Sequence, residues 1–194
     1  MNAKLLRNAV GLALAAVLGT ANADPISWYV GGDLVQLETK VTDQTGIPPI
    51  VTGSAKATSL RIKGGMHILP WLDAELQGIL PSEETYSTIG TTNKVETTVV
   101  ALFAKPNTNL GPVNVYALLG VAGTGVRFSG VLDGDKSFSD VAYGLGAQYK
   151  INRHFAVLSA DWTHYGKKNL GLAGLPGGID VEVNAFGVGA NYTF

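Results

Sequence analysis

The sequence contains no cysteine, so neither a disulfide nor a thiolate metal site is available to it. It is also poor in charge. Asp, Glu, Lys and Arg make up 15% of the residues, against the ~25% of ordinary soluble domains. Yet 46% are hydrophobic. No apolar run is long enough for a membrane-spanning helix: the most marked, from Ala9 to Gly19, falls well short of the roughly 20 residues such a helix needs. The 14 basic and 15 acidic residues nearly balance, and no basic run forms a nucleic-acid surface. His67, His154 and His164 match no zinc spacing, and no His-Glu-x-x-His occurs, so neither a metal nor another cofactor is expected.

What is present begins with Lys4 and Arg7 ahead of the short apolar stretch, followed by Ala21-Asn22-Ala23. A basic n-region, an apolar core and small residues at a cleavage point are the parts of a secretory signal peptide. Residues 1–23 are therefore expected to be removed. The remaining 24–194 are expected to form one domain of 171 residues with a formal charge of −3.

Glycine is abundant, with 25 residues. A low-charge, glycine-rich chain without a membrane helix fits a one-layer barrel whose outside meets lipid and whose inside is polar and small. About eight strands are legible: 27–39, 57–68, 72–80, 94–104, 113–123, 138–151, 154–165 and 180–194. Each is near the roughly 9–11 residues that cross a bilayer at a tilt. The connections alternate in length. Those at 40–56, 81–93, 124–137 and 166–179 are long, while 69–71, 105–112 and 152–153 are short. Four long external loops and three short periplasmic turns are what an eight-stranded barrel with both termini in the periplasm requires.

Within the strands, side chains alternate. Leu60, Ile62, Gly64, Met66 and Ile68 oppose Ser59, Arg61, Lys63, Gly65 and His67. Leu72, Ala74, Leu76, Gly78 and Leu80 oppose Asp73, Glu75 and Gln77. The same holds for Val113 to Val121 and for Val141 to Tyr149, but Val99 to Phe103 is apolar on both faces. The last strand alternates too, with Phe186, Val188, Ala190, Tyr192 and Phe194 on one face. Aromatic residues gather at strand ends. Trp28, Trp71, Phe103, Tyr149, Phe155, Tyr192 and Phe194 fall near the periplasmic side, and Trp162 and Tyr165 at the other. Amphipathic rings prefer the headgroup level of a membrane.

The terminal Asn191-Tyr192-Thr193-Phe194, the opening Trp28-Tyr29-Val30-Gly31-Gly32-Asp33, Tyr116 to Gly123 and Ala142 to Tyr149 carry a resemblance. The chain resembles the outer-membrane β-barrel superfamily, which includes the transmembrane domain of outer membrane protein A and opacity-type, porin-like small barrels. The resemblance covers almost all of 24–194. It implies an all-β, eight-stranded, antiparallel, up-and-down transmembrane β-barrel in the bacterial outer membrane, with the apolar face toward lipid. It also implies that Tyr192 and Phe194 form the signal read by the barrel-insertion machinery. Outer-membrane lipid and lipopolysaccharide are then the surroundings, and a monomer is expected. The chain ends at Phe194, so no peptidoglycan-binding domain like that of outer membrane protein A is expected.

The fold hosts several unrelated activities, so function rests on particular residues. Asp33, Arg61, Lys63, Asp73, Glu75, Lys150 and Asp161 are expected to face inward as a charge network. An eight-stranded barrel is only wide enough for side chains, and buried charges must pair. The expected role is structural or surface-interaction, with this network filling the interior; a narrow channel for ions or small hydrophobic molecules is the alternative that stays open. So does the space left by Gly144, Gly146, Gly187 and Gly189. Catalysis is not expected. The barrel lipid A deacylase has a Ser two residues after its His, where His164-Tyr165-Gly166 has Gly. Ser159 lies on the opposite face from His164 by alternation. No amphipathic helix like that of the barrel palmitoyl transferase precedes Trp28. Leu132-Asp133-Gly134-Asp135 is a turn signal without an EF-hand ligand series. The segment 169–178 is apolar and Gly-rich, suited to covering the barrel mouth or meeting lipid.

Overall fold

A computed structural model describes residues 27–43, 50–88, 91–129, 134–150, 155–170 and 179–194. The expected signal peptide, His154, Asp133 and the apolar segment at 171–178 lie outside the described residues. Eight strands form: β1 (Trp28–Asp43), β2 (Ile50–Leu69), β3 (Leu72–Thr88), β4 (Thr91–Leu110), β5 (Val113–Ser129), β6 (Gly134–Lys150), β7 (Phe155–Leu170) and β8 (Ile179–Thr193). Each is antiparallel to the next, and β8 pairs back onto β1 to close an up-and-down barrel.

The strands are longer than their alternation suggested, from 15 residues in β8 to 20 in β2 and β4. Much of what reads as external loop continues as paired strand. The β3–β4 hairpin runs to Thr88↔Thr91. Beyond the lipid-facing band these hairpins no longer need a greasy face, so the period that marks a strand in sequence fades while the backbone ladder continues.

The expected connection at 105–112 is a further correction, because β4 runs through Pro106 to Leu110 before a turn at Gly111 and Pro112. A proline has no N–H to give, and strands tolerate it where the ladder is already open. Here the β4–β5 pairs pass from Ala104↔Leu119 directly to Asn107↔Tyr116, leaving Lys105 and Pro106 unpaired on that side. Pro81 sits similarly in the irregularity between Ile79 and Ser82. Gly111 has φ +66°, a turn conformation natural to glycine.

Side-chain direction follows from the pleat. Val30, Leu34, Leu60, Ile62, Leu102, Val121, Val141, Leu145, Phe186 and Val188 are exposed on the outside. In β5, Leu119 is 56% exposed while its neighbour Leu118 is 0% exposed. A soluble barrel of this kind would carry its apolar residues inward alone. Here an outer apolar belt surrounds a filled interior. Trp71, Tyr149, Tyr192 and Phe194 lie exposed near the short-turn end, and Tyr192 stacks edge-on against Phe194 with centroids 5.1 Å apart. The Phe194 N–H donates to the Trp28 carbonyl at 2.8 Å, fixing the seam between β8 and β1. Phe103 and Tyr165 depart from the expected girdle, since both point inward and are buried. Phe103 shares a parity with Ala101 and Val99, so its face is the inner one. Tyr165 is the extra residue where the β7–β8 register shifts between His164 and Gly166.

Candidate functional site

The barrel interior has two levels. Towards the short-turn end it is polar and charged, and towards the loop end it is mainly aliphatic, with Thr39, Thr97 and Thr124 buried among the apolar side chains. β2 supplies the centre of the charged level. Its odd positions point inward, which carries both Arg61 and Lys63 into the lumen. Arg61 Nε donates to Asp33 Oδ2 at 2.8 Å, and Arg61 Nη2 donates to Asp161 Oδ2 at 2.6 Å. One guanidinium thus joins β1, β2 and β7 through two carboxylates, the use for which its fork of donors is suited. Lys63 Nζ lies 2.9 Å from Asp33 Oδ1 and donates to Ser159 Oγ at 3.0 Å.

A second centre lies across the lumen. Lys105 Nζ donates to Glu75 Oε2 at 2.7 Å, and the Tyr29 hydroxyl donates to the same oxygen at 2.5 Å. Lys105 also sits 4.3 Å from the Tyr116 ring centroid, within cation–π range. The two centres are continuous. Gln77 Nε2 donates to Glu75 at 2.7 Å, Tyr165 donates to Gln77 Oε1 at 2.7 Å, and Arg61 Nη1 donates to the Tyr165 hydroxyl at 3.2 Å. The Tyr116 hydroxyl donates to Asp161 Oδ2 at 3.2 Å. Asp73 lies further towards the short turns, 2.6 Å from His67 Nδ1.

Lys150 stands apart from this set. It is exposed at the end of β6, where Nζ donates to Asn109 Oδ1 at 3.1 Å. It keeps the inward parity of Gln148, since the register shift there inserts Leu158 into β7 and not a residue into β6, but it lies at the open end of the barrel beyond the buried charges. Lys105 takes the place of a third interior cation. Its signal was present in the sequence as odd parity shared with Val99, Ala101 and Phe103, but Pro106 beside it reads as the end of a strand. Tyr29, Tyr116, Gln77 and Tyr165 were missed as well, because a neutral polar residue on an inner face carries no charge signal.

The inward glycines do not leave gaps. A Cβ at Gly187 would come within 2.7 Å of Arg61 Nη2, and one at Gly146 within 2.5 Å of the Tyr116 ring. A Cβ at Gly189 would collide with Asp33. Bare backbone on β6 and β8 therefore makes the room that long side chains from β1, β2 and β5 occupy. Above this level lie Val35, Leu37, Ile79, Val99, Phe138, Val181 and Val183, while Phe103 and Leu118 sit beside the charges, Phe103 opposite Glu75 and Leu118 opposite Lys105 where the β4–β5 ladder is open. Phe103 is 1% exposed and Leu37 0%.

Chemically, the interior is a network of paired charges and hydrogen-bonded hydroxyls. Ser159 has a lysine and an aspartate beside it, but Ser159 is buried and its hydroxyl donates to Asp33 Oδ1 at 3.2 Å. His164 lies on the outer face, with Nδ1 2.8 Å from Asn184 Oδ1. Among the described residues no group of three or more His, Cys, Asp or Glu could hold a metal ion.

The architecture recurs in known proteins. The family model of the outer membrane protein beta-barrel domain matches residues 9–194. Ail, the attachment invasion locus protein of Yersinia pestis, is 16% identical, with 87% of this chain and 99% of that one covered at a TM-score of 0.52. Neisserial surface protein A is 19% identical, with 86% and 97% covered at a TM-score of 0.55. The outer membrane protein AlkL is 16% identical, with 90% and 93% covered at a TM-score of 0.56. At these identities the likeness is one of fold. No curated protein matches the sequence.

Proposed function

The chain belongs to the outer membrane protein β-barrel domain family and resides in the bacterial outer membrane, and from that premise we propose that it is a closed structural or surface-interaction barrel. Its working surfaces are then the outside of the wall and the hairpins at the loop end. The observation that carries this reading is the stacking of the apolar level over the ion-paired one. An ion crossing the lumen would have to displace Leu37, Val99 and Val183 and then break the Arg61 contacts. Stripping water from an ion in an apolar layer is costly.

The same reading makes the protein non-enzymatic, supported by the buried Ser159 and the absence of a hydroxyl nucleophile two residues beyond His164. It includes cleavage after Ala23, recognition of Tyr192 and Phe194 by the insertion machinery, a monomeric state, and lipopolysaccharide as a neighbour. Exposure of both terminal aromatics supports their accessibility to a receptor.

Liposome swelling tests the proposal against a transport role. Vesicles carrying the refolded barrel should swell in small sugars and amino acids no faster than protein-free vesicles. Solute-dependent swelling would assign the protein to transport instead.

A further inference from the structure

On the outer wall, a groove of about 490 Å³ crosses four strands at the level where the lipid-facing belt ends. Tyr143 of β6 and Trp162 and His164 of β7 form one side of it. Their rings pack together, with Tyr143 and His164 centroids 4.8 Å apart and Tyr143 and Trp162 6.0 Å apart. Asn184 and Glu182 of β8 continue the floor, and Glu38 and Lys40 of β1 and Lys167 of β7 also line the groove, so two carboxylates and two ammonium groups face it.

We propose that this groove binds the phosphorylated sugar headgroup of an outer-leaflet glycolipid. The inference rests on the outer-membrane residence above and deepens the lipopolysaccharide neighbourhood into one site. Three observations support it. First, aromatic faces pack well against the C–H faces of a sugar ring, and two of the rings are substantially exposed: Tyr143 at 46% and Trp162 at 43%.

Second, hydrogen-bonding groups of both kinds lie beside the rings. Asn184 Nδ2 donates to Glu182 Oε1 at 2.8 Å while Asn184 Oδ1 meets His164, a preset carboxylate–amide–imidazole row suited to hydroxyls. Among the described residues, Lys40 and Lys167 are in loose ion pairs, at 3.8 Å to Glu38 and 3.4 Å to Asp180. Both ammonium groups can therefore turn to a phosphate.

Third, the wall beneath the groove is apolar. His164 pairs with Asn184, and the next outward-facing rows are Trp162 with Phe186 and Ala160 with Val188, beside Leu34 of β1. Phe186, Val188 and Leu34 are exposed. A ligand that fits polar groove and apolar strip together carries a sugar phosphate above and acyl chains below. A free saccharide would use only the upper part.

The test uses a variant in which Trp28→Phe and Trp71→Phe leave Trp162 as the sole tryptophan. The refolded barrel is placed in nanodiscs of phosphatidylcholine alone, with phosphatidylglycerol, or with lipopolysaccharide, and quenching of Trp162 by acrylamide is titrated against lipid content. Heat-modifiable migration and a separate conductance trace verify that each sample is a folded, closed barrel. Lipopolysaccharide should protect Trp162, and Tyr143→Ala or the pair Lys40→Ala and Lys167→Ala should raise the lipopolysaccharide content needed by about fivefold. Equal protection by phosphatidylglycerol would overturn the proposal in favour of a general anionic interface. Absent protection, or titrations unchanged in the variants, would overturn it outright. A conducting barrel that still shows lipopolysaccharide-specific protection would leave the groove standing and remove the closed-barrel reading instead.

Discussion

The two levels of the lumen are packed by different physics. The level near the short turns is held by directional contacts between Arg61, Asp33, Asp161, Lys105 and Glu75. The level near the loops is held by the fit of Val35, Leu37, Ile79, Val99 and Val183. In the first, each group needs its particular partner, because a stranded buried charge is far worse than no charge. In the second, volume matters and identity matters less. A barrel that opened only at one level would stay shut at the other, so the pair makes a more secure seal than either packing alone.

Removing the central cation is the harshest way to break this contrast. Arg61→Leu leaves Asp33 and Asp161 without their shared partner and should destabilise the barrel by about 3–5 kcal/mol, read from urea unfolding in lipid vesicles. A loss no larger than that of an ordinary core swap would erase the distinction between the levels. Next in size is a test of the wall that encloses both. Leu119→Arg puts a charge into lipid and should cost roughly 2–4 kcal/mol, measured in the same titration. The inward neighbour Leu118 should not incur this lipid penalty when substituted, although a charge there disturbs packing.

The apolar level should forgive what the charged level does not. Ile79→Leu keeps the volume of a buried side chain and should cost less than about 1.5 kcal/mol. The smallest effect is expected where neither physics operates. Arg127 pairs with Asp135 at 2.9 Å on the exposed rim, and surface pairs contribute little. Arg127→Ala should leave the unfolding midpoint unchanged, and a measurable shift would show that the rim hairpins share in the stability of the lumen.

The same contrast explains what could be read from the residues alone. β2 was legible because Arg61 and Lys63 stand out between Leu60, Ile62 and Gly64. The outside could be assigned wherever the inside was charged. β4 was opaque because its inner face, Val99, Ala101 and Phe103, is as apolar as its outer one. Alternation locates a strand face only through chemical contrast, and the apolar level supplies none. Phe103 was therefore assigned to the membrane girdle although it fills the lumen, and Tyr165 was assigned there as an aromatic at a strand end although it shares the inward parity of Asp161 and Thr163. Lys105 was hidden by Pro106, and Lys150 has the expected parity but sits at the barrel's end, a depth that periodicity does not reveal. The inward glycines pointed to gaps, because a sequence does not show that Arg61 and Tyr116 reach across to fill them.

Planar-bilayer conductance of the refolded wild-type protein tests the closed, two-level interior most directly. The apolar level over the ion-paired one predicts a flat baseline, with no sustained current steps at either polarity in monovalent salt. Stable, voltage-independent steps from the heat-modifiable folded species would contradict it, because ions would then be passing a lumen that these side chains are held to seal.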